Sequence, residues 1–190
     1  MTFTGKFYEA VQYAGDLHKD QKRKGSEIPY LSHLMGVASI AMDHGADEDI
    51  AIAALLHDSV EDAGGDATGN EVRRRFGERV ARIVYACTDT SESPKPPWLE
   101  RKKAYLSHLE QLQTDELLVS MADKLHNLSA IFYDYLELGD QVWDRFSAER
   151  GGVIWYYQSL VECYRKHPGA NPSLLGKLQR VLNSLQEQVK

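Results

Sequence analysis

Ile50-Ala51-Ile52-Ala53-Ala54-Leu55-Leu56-His57-Asp58-Ser59-Val60-Glu61-Asp62 sets seven uninterrupted apolar residues before a stretch in which four of six side chains are ionisable. An apolar run of that length is far short of a membrane span. It reads as a central helix buried on most of its sides. Its end is the anomaly, because ionisable groups finishing a core segment are costly unless something satisfies them. If the helix continues, Glu61 follows His57 by four residues and Asp62 follows Asp58 by four, so each pair shares a face. A metal cation would satisfy His57 and Asp58 together; solvation of a helix C-terminus is the alternative reading.

Helical periodicity extends outward in both directions. Phe7, Val11, Ala14 and Leu17 form one stripe, and Leu34, Val37, Ala38 and Ala41 form another after the break at Pro29. Val72, Phe76, Val80, Ile83 and Val84 continue it, with Gly77 separating two helices. Leu106, Leu109 and Leu112 mark a further helix, Leu117–Tyr135 a long one, and Val153–Tyr164 and Leu174–Val189 the last two. Ser91-Glu92-Ser93-Pro94-Lys95-Pro96-Pro97 is expected to be extended, since three prolines fix φ and remove backbone donors. No strand-like alternation or internal repeat is present. The fold class expected is all-α, a single helical bundle, with residues 1–165 as the domain and 166–190 as a C-terminal helix packing on it.

The chain has 190 residues, 43% hydrophobic and 26% charged, which is globular and long enough to bury a core without a staple. Its 22 Lys and Arg against 28 Asp and Glu give a net charge of −6. That balance disfavours non-specific binding of nucleic acid or an anionic membrane. A polyanionic ligand must then meet a local basic cluster or a bound cation. Cys87 and Cys163 lack Cys-x-x-Cys spacing, and the N-terminal residues lack the apolar core of a signal peptide. Both features point to reduced thiols in a cytoplasm, with a single bridge between the two as the alternative reading.

Three more segments carry ionisable groups at the edges of apolar helices. His33 follows Pro29-Tyr30-Leu31-Ser32. Asp123 and Asn127 share a face within Ser120-Met121-Ala122-Asp123-Lys124-Leu125-His126-Asn127. Lys22-Arg23-Lys24 is the densest basic cluster of the first half. The set His33, His57-Asp58 and Asp123 resembles the HD phosphohydrolase superfamily. Within it, the set is closer to the hydrolase domain of RelA/SpoT-type alarmone enzymes and their small single-domain relatives. His18-Lys19-Asp20-Gln21-Lys22-Arg23-Lys24, Phe76-Gly77 and above all Glu61-Asp62 carry that closer match, which spans about residues 5 to 135.

The resemblance implies an HD-domain fold and a divalent ion held by His33, His57, Asp58 and Asp123. It points to Mn²⁺; two imidazoles and two carboxylates by themselves suit Mn²⁺, Fe²⁺ or Zn²⁺ alike. It assigns Glu61 and Asp62 to catalysis, and Arg23, Lys24 and Asn127 to the nucleotide. Lys95 and Arg101 would clamp the distal diphosphate; a solvated basic face is the other reading of Arg101-Lys102-Lys103. Tyr30 and Trp155 would either line the pocket or belong to the core. The implied reaction is hydrolysis of guanosine 3′,5′-bis(diphosphate) at the 3′ position in a stringent-response setting. No synthetase domain fits in 190 residues. Three departures stand out: Leu34 where the family commonly has Pro, Ser129 where it has Arg, and the proline-rich loop. The loop leaves open an adenosine alarmone, the 2′-phosphate of NADPH or a nucleoside monophosphate as substrate. Oligomeric state is not legible.

Overall fold

The computed structural model describes residues 2–90 and 94–189. Among the described residues ten α-helices follow one another: α1 Gly5–Leu17, α2 Leu31–Asp43, α3 Glu48–Leu56, α4 Ser59–Asp62, α5 Asp66–Phe76, α6 Glu78–Cys87, α7 Trp98–His108, α8 Thr114–Leu138, α9 Glu149–Lys166 and α10 Pro172–Gln188. Short 3₁₀ segments occupy Leu109–Gln111 and Gly139–Arg145. Among the described residues, β structure is confined to one antiparallel bridge between Lys22 and Pro29. There Arg23 N–H donates to the Ile28 carbonyl and Tyr30 N–H to that of Gln21, which folds the basic loop back toward α2.

The apolar run forms α3, whose residues Ile50 through Leu56 are all buried. A helix apolar all round must be covered all round, and α1, α2, α6 and α8 supply the cover. Its start is fixed by Asp47, whose side chain accepts from Ile50 N–H at 3.0 Å. Helix α8 is the second axis of the bundle, packing on α2, α3, α6 and α10. A capping box starts it, with Gln113 N–H donating to Glu116 Oε2 at 2.6 Å. Helix α10 buries Leu174, Leu178, Leu182 and Leu185 and packs on α8 and α9. The division at residue 77 follows from Gly77, whose φ of 100° ends α5 and opens α6.

Two expectations need correction. The central helix does not run through to Asp62: α3 ends at Leu56, His57 and Asp58 form a turn, and α4 restarts at Ser59. The physical reason is local. His57 Nδ1 sits 2.8 Å from the Ala54 carbonyl, the acceptor that an unbroken helix offers to Asp58 N–H, and Asp58 flattens to φ −95°, ψ −1°. Leu106, Leu109 and Leu112 do not share one helix either. α7 stops at His108, a 3₁₀ turn follows, and Leu112 is extended at ψ 142° because the capping box begins α8 directly after it. Of the proline-rich segment, Ser91, Glu92 and Ser93 lie outside the described residues. Pro94 to Pro97 are not helical, and Pro97 caps α7 at φ −51°, ψ 142°.

Candidate active site

Four side chains from three elements meet at the α3–α8 crossing. His33 comes from the first turn of α2, His57 and Asp58 from the turn after α3, and Asp123 from the middle of α8. His33 Nε2 lies 3.5 Å from Asp58 Oδ2 and 3.2 Å from Asp123 Oδ1. His57 Nε2 lies 3.1 Å and 3.5 Å from the same two atoms. Ligand atoms about 2.1 Å from a common ion and at right angles to each other stand about 3 Å apart, so these separations suit donors around one cation. Ligand atoms of His33, His57 and Asp58 lie within 4.8 Å of one another.

Whether the residues fit an ion is decided by their unused atoms. His33 Nε2 and His57 Nε2 are buried and have no hydrogen-bond partner. Two orphaned imidazole lone pairs aimed at two carboxylates form a mixed nitrogen and oxygen set for a divalent transition metal. The charges of the cluster hold one another. Burial disfavours charge on His57, Asp58 and Asp123, yet pairing prevails: His57 is held well above the ordinary imidazole range, and the two carboxyls well below theirs. Lys124, half-buried beside Asp123 with Nζ 2.5 Å from Asp123 Oδ2, is likewise kept charged by that carboxylate. Tyr30 O–H donates to Asp58 Oδ2 at 2.6 Å, and burial together with that carboxylate pushes the phenol upward.

Glu61 and Asp62 sit on α4 directly beyond the cluster. Glu61 Oε1 accepts from Lys95 Nζ at 2.8 Å, and Glu61 Oε2 from Asp89 N–H at 3.1 Å. Asp62 Oδ2 accepts from Gln21 Nε2 at 2.9 Å, and Lys95 Nζ lies 3.7 Å from its other oxygen. Arg101 Nε donates to the Pro96 carbonyl at 3.1 Å, while its Nη1 pairs with Asp89 Oδ2, which also takes Lys102 Nζ at 3.0 Å. Lys95 is thus paired with the two carboxylates of α4, while Arg101 is held on Asp89, whose own backbone N–H donates to Glu61.

Beside the cluster opens a cavity of about 370 Å³ whose walls include Arg23, Lys24, Trp98, Asn127, Phe146 and Tyr156. Arg23 Nη2 donates to Asn127 Oδ1 at 2.8 Å, and Lys24 Nζ stands 5.7 Å from the Phe146 ring centre. Of the two aromatics singled out in the sequence, Tyr30 serves Asp58, and Trp155 packs edge-on against Trp98.

A family model described as an HD domain matches residues 10–154. The chain belongs to the HD-domain family. Within this family it is 37% identical over 176 residues to guanosine-3′,5′-bis(diphosphate) 3′-pyrophosphohydrolase MESH1 of Xenopus tropicalis, covering 91% of this chain and 90% of that one. The zebrafish (Danio rerio) protein of the same name is 34% identical over 94% of this chain and 93% of its own. Among solved structures, a metazoan ortholog of SpoT described as hydrolysing ppGpp superposes with a TM-score of 0.80 at 28% identity, covering 100% of this chain and 99% of that one.

The HD domain's sequence motifs do not disclose how the site is braced. Gln21 on Asp62, Asp89 behind Arg101 and Lys102, and His126 at 3.0 Å from His33 were not assigned roles from the sequence. For His126 a signal existed: it lies three residues after Asp123, on the same face of an apolar helix. No helix among the described residues is long and apolar enough to cross a membrane.

Proposed function

We propose that this chain hydrolyses guanosine 3′,5′-bis(diphosphate) at its 3′ position, releasing diphosphate and leaving GDP, or GTP from the pentaphosphate. In this reading it works in the cytoplasm with Mn²⁺ as the resident ion. The observation that carries it is the meeting of four donors, three of them buried, with an acidic pair at their edge and a cation-lined cavity alongside, in a chain whose relatives bear that activity in their names.

When held by His33, His57, Asp58 and Asp123, such an ion supplies Lewis-acid polarisation of a phosphate oxygen and of the attacking water. The chain's own groups do the rest. Glu61 orients the water and takes its proton, and Asp62, fixed by Gln21, keeps that geometry. Water forms one P–O bond as the bond between phosphorus and the 3′ oxygen breaks, and the proton taken up by Glu61 passes to the leaving 3′ oxygen. Lys95 and Arg101 exchange their carboxylate partners for diphosphate oxygens, where the planar guanidinium offers a bidentate fork. Arg23, Lys24 and Asn127 hold the nucleoside in the cavity.

The test is turnover of the tetraphosphate by the purified chain with Mn²⁺, resolving GDP and diphosphate as products. Full turnover by the His57→Ala, Asp58→Ala double variant refutes the site. A preference above about tenfold, roughly 1.4 kcal/mol, for the adenosine analogue, NADPH or a nucleoside monophosphate reassigns the substrate.

A further inference from the structure

His33 uses both ring nitrogens. Nε2 faces Asp58 and Asp123, while Nδ1 stands 3.0 Å from Nδ1 of His126. A metal-facing nitrogen must carry a lone pair, so the proton of neutral His33 sits on Nδ1 and needs an acceptor. His57 meets the same need through the backbone, with Nδ1 at 2.8 Å from the Ala54 carbonyl. His33 has no such carbonyl; the acceptor offered to it is the imidazole of His126, whose ring meets it edge-on at 4.8 Å between centres.

The approach depends on a missing side chain. Gly36 lies three residues after His33 on α2, and a Cβ there would stand 2.3 Å from His126 Nε2 and 2.4 Å from its Cδ2. Real Cβ atoms do not come so close, so any larger residue at 36 must displace the ring. Gly36 has nothing else to explain it, since it sits inside a regular helix where glycine costs about 1 kcal/mol relative to alanine.

We propose that His126 is a positioning residue for the metal centre. It accepts the Nδ1 proton of His33, fixing that ligand's tautomer and ring plane, and Gly36 is the vacancy that admits it. The idea rests on the metal reading of the cluster. Because His126 rides on α8 three residues after Asp123, one helix both supplies a ligand and orients another ligand across the α2–α8 interface. Partners of this kind change metal affinity by about 10–100-fold when lost.

The experiment is calorimetric titration of the metal-free chain with Mn²⁺, with melting temperature as the control for folding. The unaltered chain's isotherm reports on the metal site by itself. His126→Leu, which removes the acceptor, is expected to weaken Mn²⁺ binding by about 10–100-fold. His126→Asn places a carbonyl oxygen where Nδ1 was, and it should keep affinity within about threefold at a melting temperature like that of the leucine variant, about 0.6 kcal/mol at most. Gly36→Ala should weaken binding as His126→Leu does. Affinity unchanged in His126→Leu, or lost equally in His126→Asn, overturns the proposal.

Discussion

Asn127 donates Nδ2–H to Asp123 Oδ1 at 2.5 Å while its own Oδ1 accepts from Arg23 Nη2 at 2.8 Å. One amide thus ties a carboxylate of the buried cluster to a guanidinium in the cavity wall. Asn127→Ala cuts both bonds and is expected to lower kcat/KM for the tetraphosphate by about 10–100-fold, roughly 1.4–2.8 kcal/mol. Steady-state kinetics check it, and an unchanged kcat/KM contradicts the role.

The acidic pair should divide by magnitude. Glu61→Gln removes the group placed to take a proton and should lower kcat by about 10²–10⁴. Asp62→Asn still offers Gln21 an acceptor and should lose much less. Neither residue is among the four donors, so Mn²⁺ affinity should hold in both variants. Loss of Mn²⁺ affinity parallel to loss of kcat would show that the pair supports the cluster instead of the reaction.

Ser120 is a stability prediction away from the chemistry. Its buried Oγ lies 2.7 Å from both Tyr105 Oη and Tyr164 Oη, linking α7, α8 and α9. Ser120→Ala strands two buried phenols, and each unsatisfied group costs about 1–3 kcal/mol. For a chain this long, about 2–4 °C of melting temperature is expected per kcal/mol, so the drop should exceed about 4 °C. Tyr164→Phe leaves Ser120 paired with Tyr105 and should cost less than Ser120→Ala.

Removal of the ion should be visible without substrate. Chelation is expected to abolish turnover, and Mn²⁺ at 100 times its dissociation constant should add about 2.7 kcal/mol of stability through binding to the folded chain alone. An unchanged melting temperature on adding Mn²⁺ would be inconsistent with the four-donor site.

What the sequence disclosed and what it hid separate along physical lines. The apolar run Ile50–Leu56, the α8 stripe and the break at Gly77 were legible because burial imposes periodicity and glycine imposes a backbone change. The four candidate donors were named through the resemblance to the HD family, since burial alone left His57-Asp58 open as a solvated helix end; the structure brings the four side chains together. The turn at His57 and Asp58 was hidden, since it arises when an imidazole engages the Ala54 carbonyl, a choice with no periodic signature. The anchoring of Lys95 on Glu61, of Arg101 on Asp89 and of Asp62 on Gln21 was hidden too, because those partners are 34, 12 and 41 residues apart.

Acid should loosen the α6–α8 junction. Asp115 Oδ2 accepts from Arg82 Nη2 at 2.7 Å and from Arg79 Nε at 3.0 Å, and Glu116 Oε1 takes Arg82 Nη1 at 2.5 Å. Burial alone would raise the Asp115 carboxyl, but the two guanidinium groups outweigh it and hold it below the ordinary value. A group with a depressed folded pKa binds protons more readily when unfolded. Its stabilisation is therefore complete above the unfolded value of about 3.9 and drains as pH falls through the folded one. Asp115→Asn removes that proton linkage and weakens charge-assisted bonds worth about 1.5–3 kcal/mol each. The expected outcome is a lower melting temperature than the parent at pH 7 and a gap that narrows steadily from pH 5 to pH 3. Thermal melts across that range check it. A gap that stays constant or widens on acidification would mean that Asp115 contributes through packing alone.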